Sequence, residues 1–337
     1  MEKSKINSKM DLGIYIHIPF CVKKCDYCDF LSGPASTETK KEYVEALIKE
    51  IYSNKDIAAE YLVQTIFIGG GTPSSIDGTL ISKILDAIRD TFHISSSAEI
   101  SIEANPGTVD AEKLMEYKRA GINRISFGLQ SADNRELKLL GRIHTYEEFE
   151  ENYKLARRLG FRNINIDLMS ALPGQTMEQW LNTLDKVITL NPEHISAYSL
   201  ILEEGTPFYS RYSEEDQDED LDRNIYRKTR EILERAGYDR YEISNYAKPG
   251  FACKHNSSYW TRINYLGLGL GASSLIKNVR FHNEENLMTY IQNSSNLKKI
   301  RQDIEVLNKK RQMEEFMFLG LRMTKGINKI TFNETFD

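Results

Sequence analysis

Cys21-Val22-Lys23-Lys24-Cys25-Asp26-Tyr27-Cys28 holds three of the chain's four cysteines, in the spacing C-x3-C-x2-C. Thiolates packed this closely suit a soft metal centre, zinc or an iron–sulfur cluster, better than a disulfide pair. A structural zinc needs a fourth ligand, and Asp29-Phe30-Leu31 offers only a poor one. Three thiolates on a four-iron cube instead leave one iron open to a small ligand. The run 13–18 just before the cysteines alternates β-branched and aromatic residues, as a strand does. The cysteines therefore fall at a strand's C-terminal end, where parallel sheets place their active sites.

Working outward, Thr39-Lys40-Lys41-Glu42 has the form of a capping box and opens a helix with Val44, Leu47, Ile48 and Ile51 on its apolar face. Strand-like segments recur at 65–68, 99–103, 124–128, 163–168 and 194–200. Helical stretches at about 79–92, 110–120, 146–159 and 177–190 lie between them. Strand and helix alternating in this way predict an α/β fold with a parallel sheet and crossover helices, and six such units fit a partial (β/α)6 barrel. The acidic run 213–220 reads as a solvated loop and the negative first turn of a helix ending near Gly237.

Composition bounds the rest. The chain has 337 residues, 40% hydrophobic content and a net charge of −5, which excludes a sequence-nonspecific nucleic-acid binder. No apolar run reaches the ~18 residues of a membrane span. The polar start of the chain lacks the apolar core of a signal peptide. Clustered thiols imply a reducing compartment, so a cytoplasmic protein is expected.

Tyr15-Ile16-His17-Ile18-Pro19-Phe20-Cys21 through Cys28 resembles the cluster motif of the radical S-adenosylmethionine (SAM) superfamily. It is similar in particular to the branch of oxygen-independent coproporphyrinogen III dehydrogenase and the HemW-type haem chaperones. The resemblance implies a [4Fe–4S] cluster on Cys21, Cys25 and Cys28 and a SAM site beside it. It assigns to SAM Tyr15, Tyr27, Gly70, Gly71 and Thr72 of the Gly69-Gly70-Gly71-Thr72-Pro73 turn, Glu103 before Asn105-Pro106, Gln130, Arg142 and Asp167. Three glycines would let the turn approach a ligand and offer it free N–H groups. The family chemistry is electron donation from the reduced cluster to SAM, cleaving S–C5′ to give a 5′-deoxyadenosyl radical. It requires an electron donor. One departure is Ala171 in Ala171-Leu172-Pro173, where the family usually carries glycine; a methyl matters there only at positive φ.

Two features separate the relatives. The dehydrogenases carry a fourth cysteine two residues after the third, and Phe30 occupies that position here. Downstream, His255-Asn256-Ser257-Ser258-Tyr259-Trp260 resembles the HNxxYW haem-associated motif of the HemW type. An imidazole suits haem iron, and the two aromatic rings could flank a porphyrin. His255, Tyr259, Trp260 and Cys253 are therefore the haem candidates, with haem and acceptor haemoproteins as partners. The alternative is the dehydrogenase, or another radical enzyme acting on a tetrapyrrole. Gly267-Leu268-Gly269-Leu270-Gly271 is GxGxG without a following ribose-binding acid, so no dinucleotide site is expected.

The expected organisation is a flexible segment 1–12, the barrel 13–245, and a C-terminal α-rich or mixed extension 246–337 bearing the haem-associated region. The family's C-terminal domain usually continues beyond the segment that ends at Asp337, so a shortened chain is expected. The resemblance allows a homodimer, and membrane association only as a peripheral contact.

Overall fold

The computed structural model describes residues 9–336. Six strands form its centre: β1 (Met10–Ile18), β2 (Tyr61–Gly70), β3 (His93–Ala104), β4 (Arg124–Gln130), β5 (Ile164–Ser170) and β6 (His194–Ser199). They pair in parallel in sequence order. All seven residues of β4 are buried, as expected of a parallel strand covered on both faces.

Crossover helices cover the outside. In Gly78–Thr91, Ile81, Ile84, Leu85 and Ile88 are buried at the three-and-four spacing of one helical face. Thr145 with Glu148, and Thr176 with Gln179, form capping boxes that fix where the helices Tyr146–Arg158 and Met177–Leu190 begin. The first helix departs from expectation. It runs Thr37–Ser53 and is capped by Ser36, whose hydroxyl accepts from the Thr39 N–H, so Thr39 lies inside the helix.

The sheet continues at both edges and is not closed. β7 (Asp239–Arg240) and β8 (Asn245–Ala247) extend it antiparallel beyond β6. On the other side β9 (Asn264–Leu268) pairs parallel with β1, followed antiparallel by β10 (Ser273–Ile276), β11 (Val279–Asn283) and β12 (Arg301–Val306). The expected boundary at 245/246 thus falls inside β8, and the C-terminal region shares the barrel's sheet. Of the expected flexible segment 1–12, residues 1–8 lie outside the described residues. Met10, Asp11 and Leu12 already pair with β2.

The helix Lys254–Trp260 closes the end of the sheet opposite the cysteine loop. Glu99, from β3, accepts the backbone N–H groups of Lys254 and His255, each at 3.1 Å. A carboxylate meeting a helix's first N–H groups satisfies donors that have no partner within the helix. Arg124 at the start of β4 is buried as well, within electrostatic reach of Cys253 and Glu99.

Candidate functional site

A cavity of about 320 Å³ opens at the C-terminal ends of the strands. It is lined by Cys21, Cys25 and Cys28 on one side, and by Gly70, Gly71, Thr72, Glu103, Gln130, Arg142 and Asp167 on the other. Residues from the ends of β2 to β5 can share one cavity only because the sheet curls around it. Tyr27 also lines it, its ring edge-on to Phe208 with centroids 6.4 Å apart.

Backbone hydrogen bonds shape the cysteine loop. The Cys21 N–H donates to Gly33 O and the Gly33 N–H to Pro19 O, both at 3.0 Å. Asp26 is tied to the rest of the barrel through its N–H to Leu140 O (3.2 Å) and an ion pair with Arg211. The Gly69–Thr72 turn packs directly on this loop. A Cβ at Gly71 would stand 2.9 Å from the Cys21 Sγ, and Gly70 has φ +118°, open to glycine and strained for other residues. The expected free N–H groups of this turn are already used. Gly70 donates to Glu103 (3.2 Å), Gly71 to Ile18 O (2.9 Å) and Thr72 to Phe20 O (2.8 Å). The glycines therefore serve close approach.

Across the cavity the charges are unbalanced towards acid. The Glu103 carboxyl is pushed up to about 8, first by burial and then by the charge of Asp167. Asp167 accepts from Ser126 Oγ (3.0 Å) and Asn165 Nδ2 (2.8 Å), both neutral. Arg142 Nη1 approaches the Cys25 Sγ at 3.4 Å, and Nη2 donates to Asn105 Oδ1 at 2.8 Å and to Gly128 O. Its Nε is buried without a hydrogen-bond partner. Gln130 holds φ +73° at a bulge between β4 and β5, and its Oε1 accepts from the Tyr198 hydroxyl at 3.0 Å. Non-glycine residues at positive φ concentrate where a side chain must be aimed.

This donor set fits the groups that the sequence implies. Three thiols reach one cavity. Glu103 and Asp167 suit a cationic ligand, and the Arg142 guanidinium on the lining suits a carboxylate. SAM carries both kinds of group.

Not every candidate joins the cavity. Tyr15 lies one layer beneath it, its hydroxyl 3.0 Å from His17 Nδ1 and its ring stacked on Phe67. A Cβ on Gly69 would touch both the Tyr15 ring and Glu103, so Tyr15 supports the wall from behind.

The haem candidates sit at the far end of the barrel. His255 is 1% exposed; its Nδ1 is 2.8 Å from Thr65 Oγ1, its Nε2 is 2.8 Å from the Tyr259 hydroxyl, and its ring stacks on Phe67. Burial and Arg124 hold its pKa down to about 3. In this conformation neither nitrogen is free to meet an iron, where the sequence suggested an available imidazole. Cys253 is fully buried, donates to Glu99 at 3.4 Å, and has its thiol pushed up to about 12 by burial. Tyr259 and Trp260 are half-buried, with the Arg322 guanidinium 4.2 Å from the Trp260 ring centre.

Asn105, Ser126 and Tyr198 also line the cavity, and sequence reasoning passed over them. Asn105 was legible only as a turn former before Pro106. Ser126 and Tyr198 sit inside strands with no local signal of their role.

Known proteins resemble this chain over most of its length. Residues 15–187 match the family model of the radical SAM superfamily, and residues 307–337 that of the HemN C-terminal domain. The chain is 38% identical over 325 residues to heme chaperone HemW of Lactococcus lactis, covering 96% of this chain and 84% of that protein. It is 45% identical over 262 residues to heme chaperone HemW of Escherichia coli, covering 77% and 69%. The solved structure of coproporphyrinogen III oxidase (HemN) from Escherichia coli shares the fold at a TM-score of 0.87, with 24% identity and coverage of 98% and 79%. The chain belongs to the radical SAM superfamily and, within it, to the HemW family.

Proposed function

We propose that this chain is a haem chaperone of radical SAM type, which binds haem and passes it to acceptor haemoproteins. Its relatives carry that name over most of its length. Cys21, Cys25 and Cys28 would hold a [4Fe–4S] cluster. Glu103, Asp167, Gln130 and Arg142 would hold SAM at the open iron, with Tyr27 against it. When bound, these groups supply one-electron reductive chemistry; the residues of the chain bind, orient and exclude water. The reading requires an electron donor and a reducing, cytoplasmic setting. No helix among the described residues is long and apolar enough to cross a membrane.

Phe30 carries the choice of a chaperone over a dehydrogenase. It stands where the dehydrogenases place a fourth cysteine, and it lies 59% exposed on the cavity wall. Ligation of haem by His255 would require the helix Lys254–Trp260 to withdraw from the barrel end, whereas Tyr259 and Trp260 are already part-exposed. The test is anaerobic reconstitution, titration with haem, and incubation with coproporphyrinogen III and SAM. A saturable Soret band without protoporphyrinogen is the expected result. Protoporphyrinogen formation, or failure to retain haem, would overturn the reading.

A further inference from the structure

Two of the three cluster thiols are joined by a continuous hydrogen-bonded arc. Thr72 Oγ1 donates to the Cys21 Sγ (3.6 Å), Asn105 Nδ2 donates to Thr72 Oγ1 (2.9 Å), and Arg142 Nη2 donates to Asn105 Oδ1 (2.8 Å). Arg142 Nη1 completes it at the Cys25 Sγ, 3.4 Å away. The Asn105 amide is the only member that engages both halves, as donor on one side and acceptor on the other. Because it donates to the Thr72 oxygen, it leaves that hydroxyl's own hydrogen for sulfur. Because it accepts from Nη2, which the Gly128 carbonyl also receives, it shares with that carbonyl in turning the other arm towards the second thiol.

The fold makes room for this amide. A Cβ on Gly128 would stand 2.9 Å from Asn105 Oδ1, so only glycine at that point of β4 admits it. The Asn105 N–H donates to Ser74 Oγ at 3.0 Å, and its carbonyl accepts from the Thr108 N–H at 3.1 Å, which holds the residue just past β3.

We propose that Asn105 is a positioning residue for the redox centre: through Thr72 and Arg142 it fixes one donor on each of two cysteine sulfurs and so sets the cluster's reduction potential. The inference rests on the radical SAM reading of the three thiols. Donors on thiolate sulfur withdraw negative charge and favour the reduced, more negative cluster. Loss of the amide should therefore make the cluster harder to reduce.

The experiment is an EPR-monitored redox titration of the anaerobically reconstituted full chain, with Asn105→Ala, Thr72→Val and Thr72→Ser alongside wild type. Asn105→Ala should shift the reduction equilibrium about tenfold towards the oxidised cluster, about 59 mV more negative for one electron. Thr72→Val should shift it the same way by less, and Thr72→Ser, which keeps the hydroxyl, should match wild type. An Asn105→Ala protein with a full cluster and an unmoved midpoint would overturn the proposal. If that variant assembles no cluster, Thr72→Val decides: a negative shift supports the arc and an unchanged midpoint overturns it. A wild-type chain that takes up no cluster would instead sink the radical SAM reading itself.

Discussion

Ala171 holds a backbone conformation that an L-residue avoids: φ is +56° just after β5. The family usually carries glycine here, and the methyl crowds its own backbone at a cost of about 1 kcal/mol. Ala171→Gly should therefore stabilise the chain by about 1 kcal/mol in denaturant unfolding, and an unchanged or lower midpoint would contradict the strain argument. Glu103 makes a second single-residue case. Unfolded, its carboxyl loses its proton near 4.5; folded, it keeps it to about 8, because burial and Asp167 oppose the charge. Its contribution to stability is thus complete below pH 4.5 and is lost as pH rises through 8. A cationic ligand would favour the charged form, so binding SAM at pH 7 should release a proton from Glu103. Calorimetry in two buffers of different ionisation enthalpy would show that release, and it should vanish in Glu103→Gln. Equal proton release in both proteins would remove Glu103 from the site.

The helix Lys254–Trp260 shows how one element's sequence can carry two readings. His-Asn-Ser-Ser-Tyr-Trp resembles a haem-associated motif. What the residues do in this fold was hidden, because the partners Thr65, Phe67 and Glu99 lie more than a hundred and fifty residues earlier. Two backbone N–H groups and the Cys253 thiol depend on the Glu99 carboxylate. Glu99→Ala leaves them without that acceptor, at about 1–3 kcal/mol for each unsatisfied group. The variant should lose thermal stability and show faster amide exchange at Lys254 and His255. Wild-type exchange there would mean that the helix holds its place without the cap.

At the scale of the whole molecule, the βα alternation was legible because each parallel strand is a short β-branched run and each helix keeps its apolar spacing. The cysteine loop, Gly70, Gly71, Glu103 and Gln130 lie at or just past strand ends, which the topology sends to one place, whereas Arg142, after a short helix, and Asp167, inside β5, were legible only through the family resemblance. Tyr15 was misplaced by a layer because its distance from Cys21 in sequence does not say which way its ring points. The shared sheet was not legible either. β9 joins β1 across some 250 residues, and Asn264–Leu268 alone does not announce a parallel neighbour.

A haem chaperone of radical SAM type requires that the three thiols hold a four-iron cluster with one iron open towards the cavity. Low-temperature EPR of the anaerobically reconstituted, dithionite-reduced chain, before and after adding SAM, tests that most directly. It should show a reduced [4Fe–4S] signal that changes shape on SAM addition and is absent from the Cys21/Cys25/Cys28→Ala protein. Colourless protein holding zinc, or a cluster signal indifferent to SAM, would contradict it.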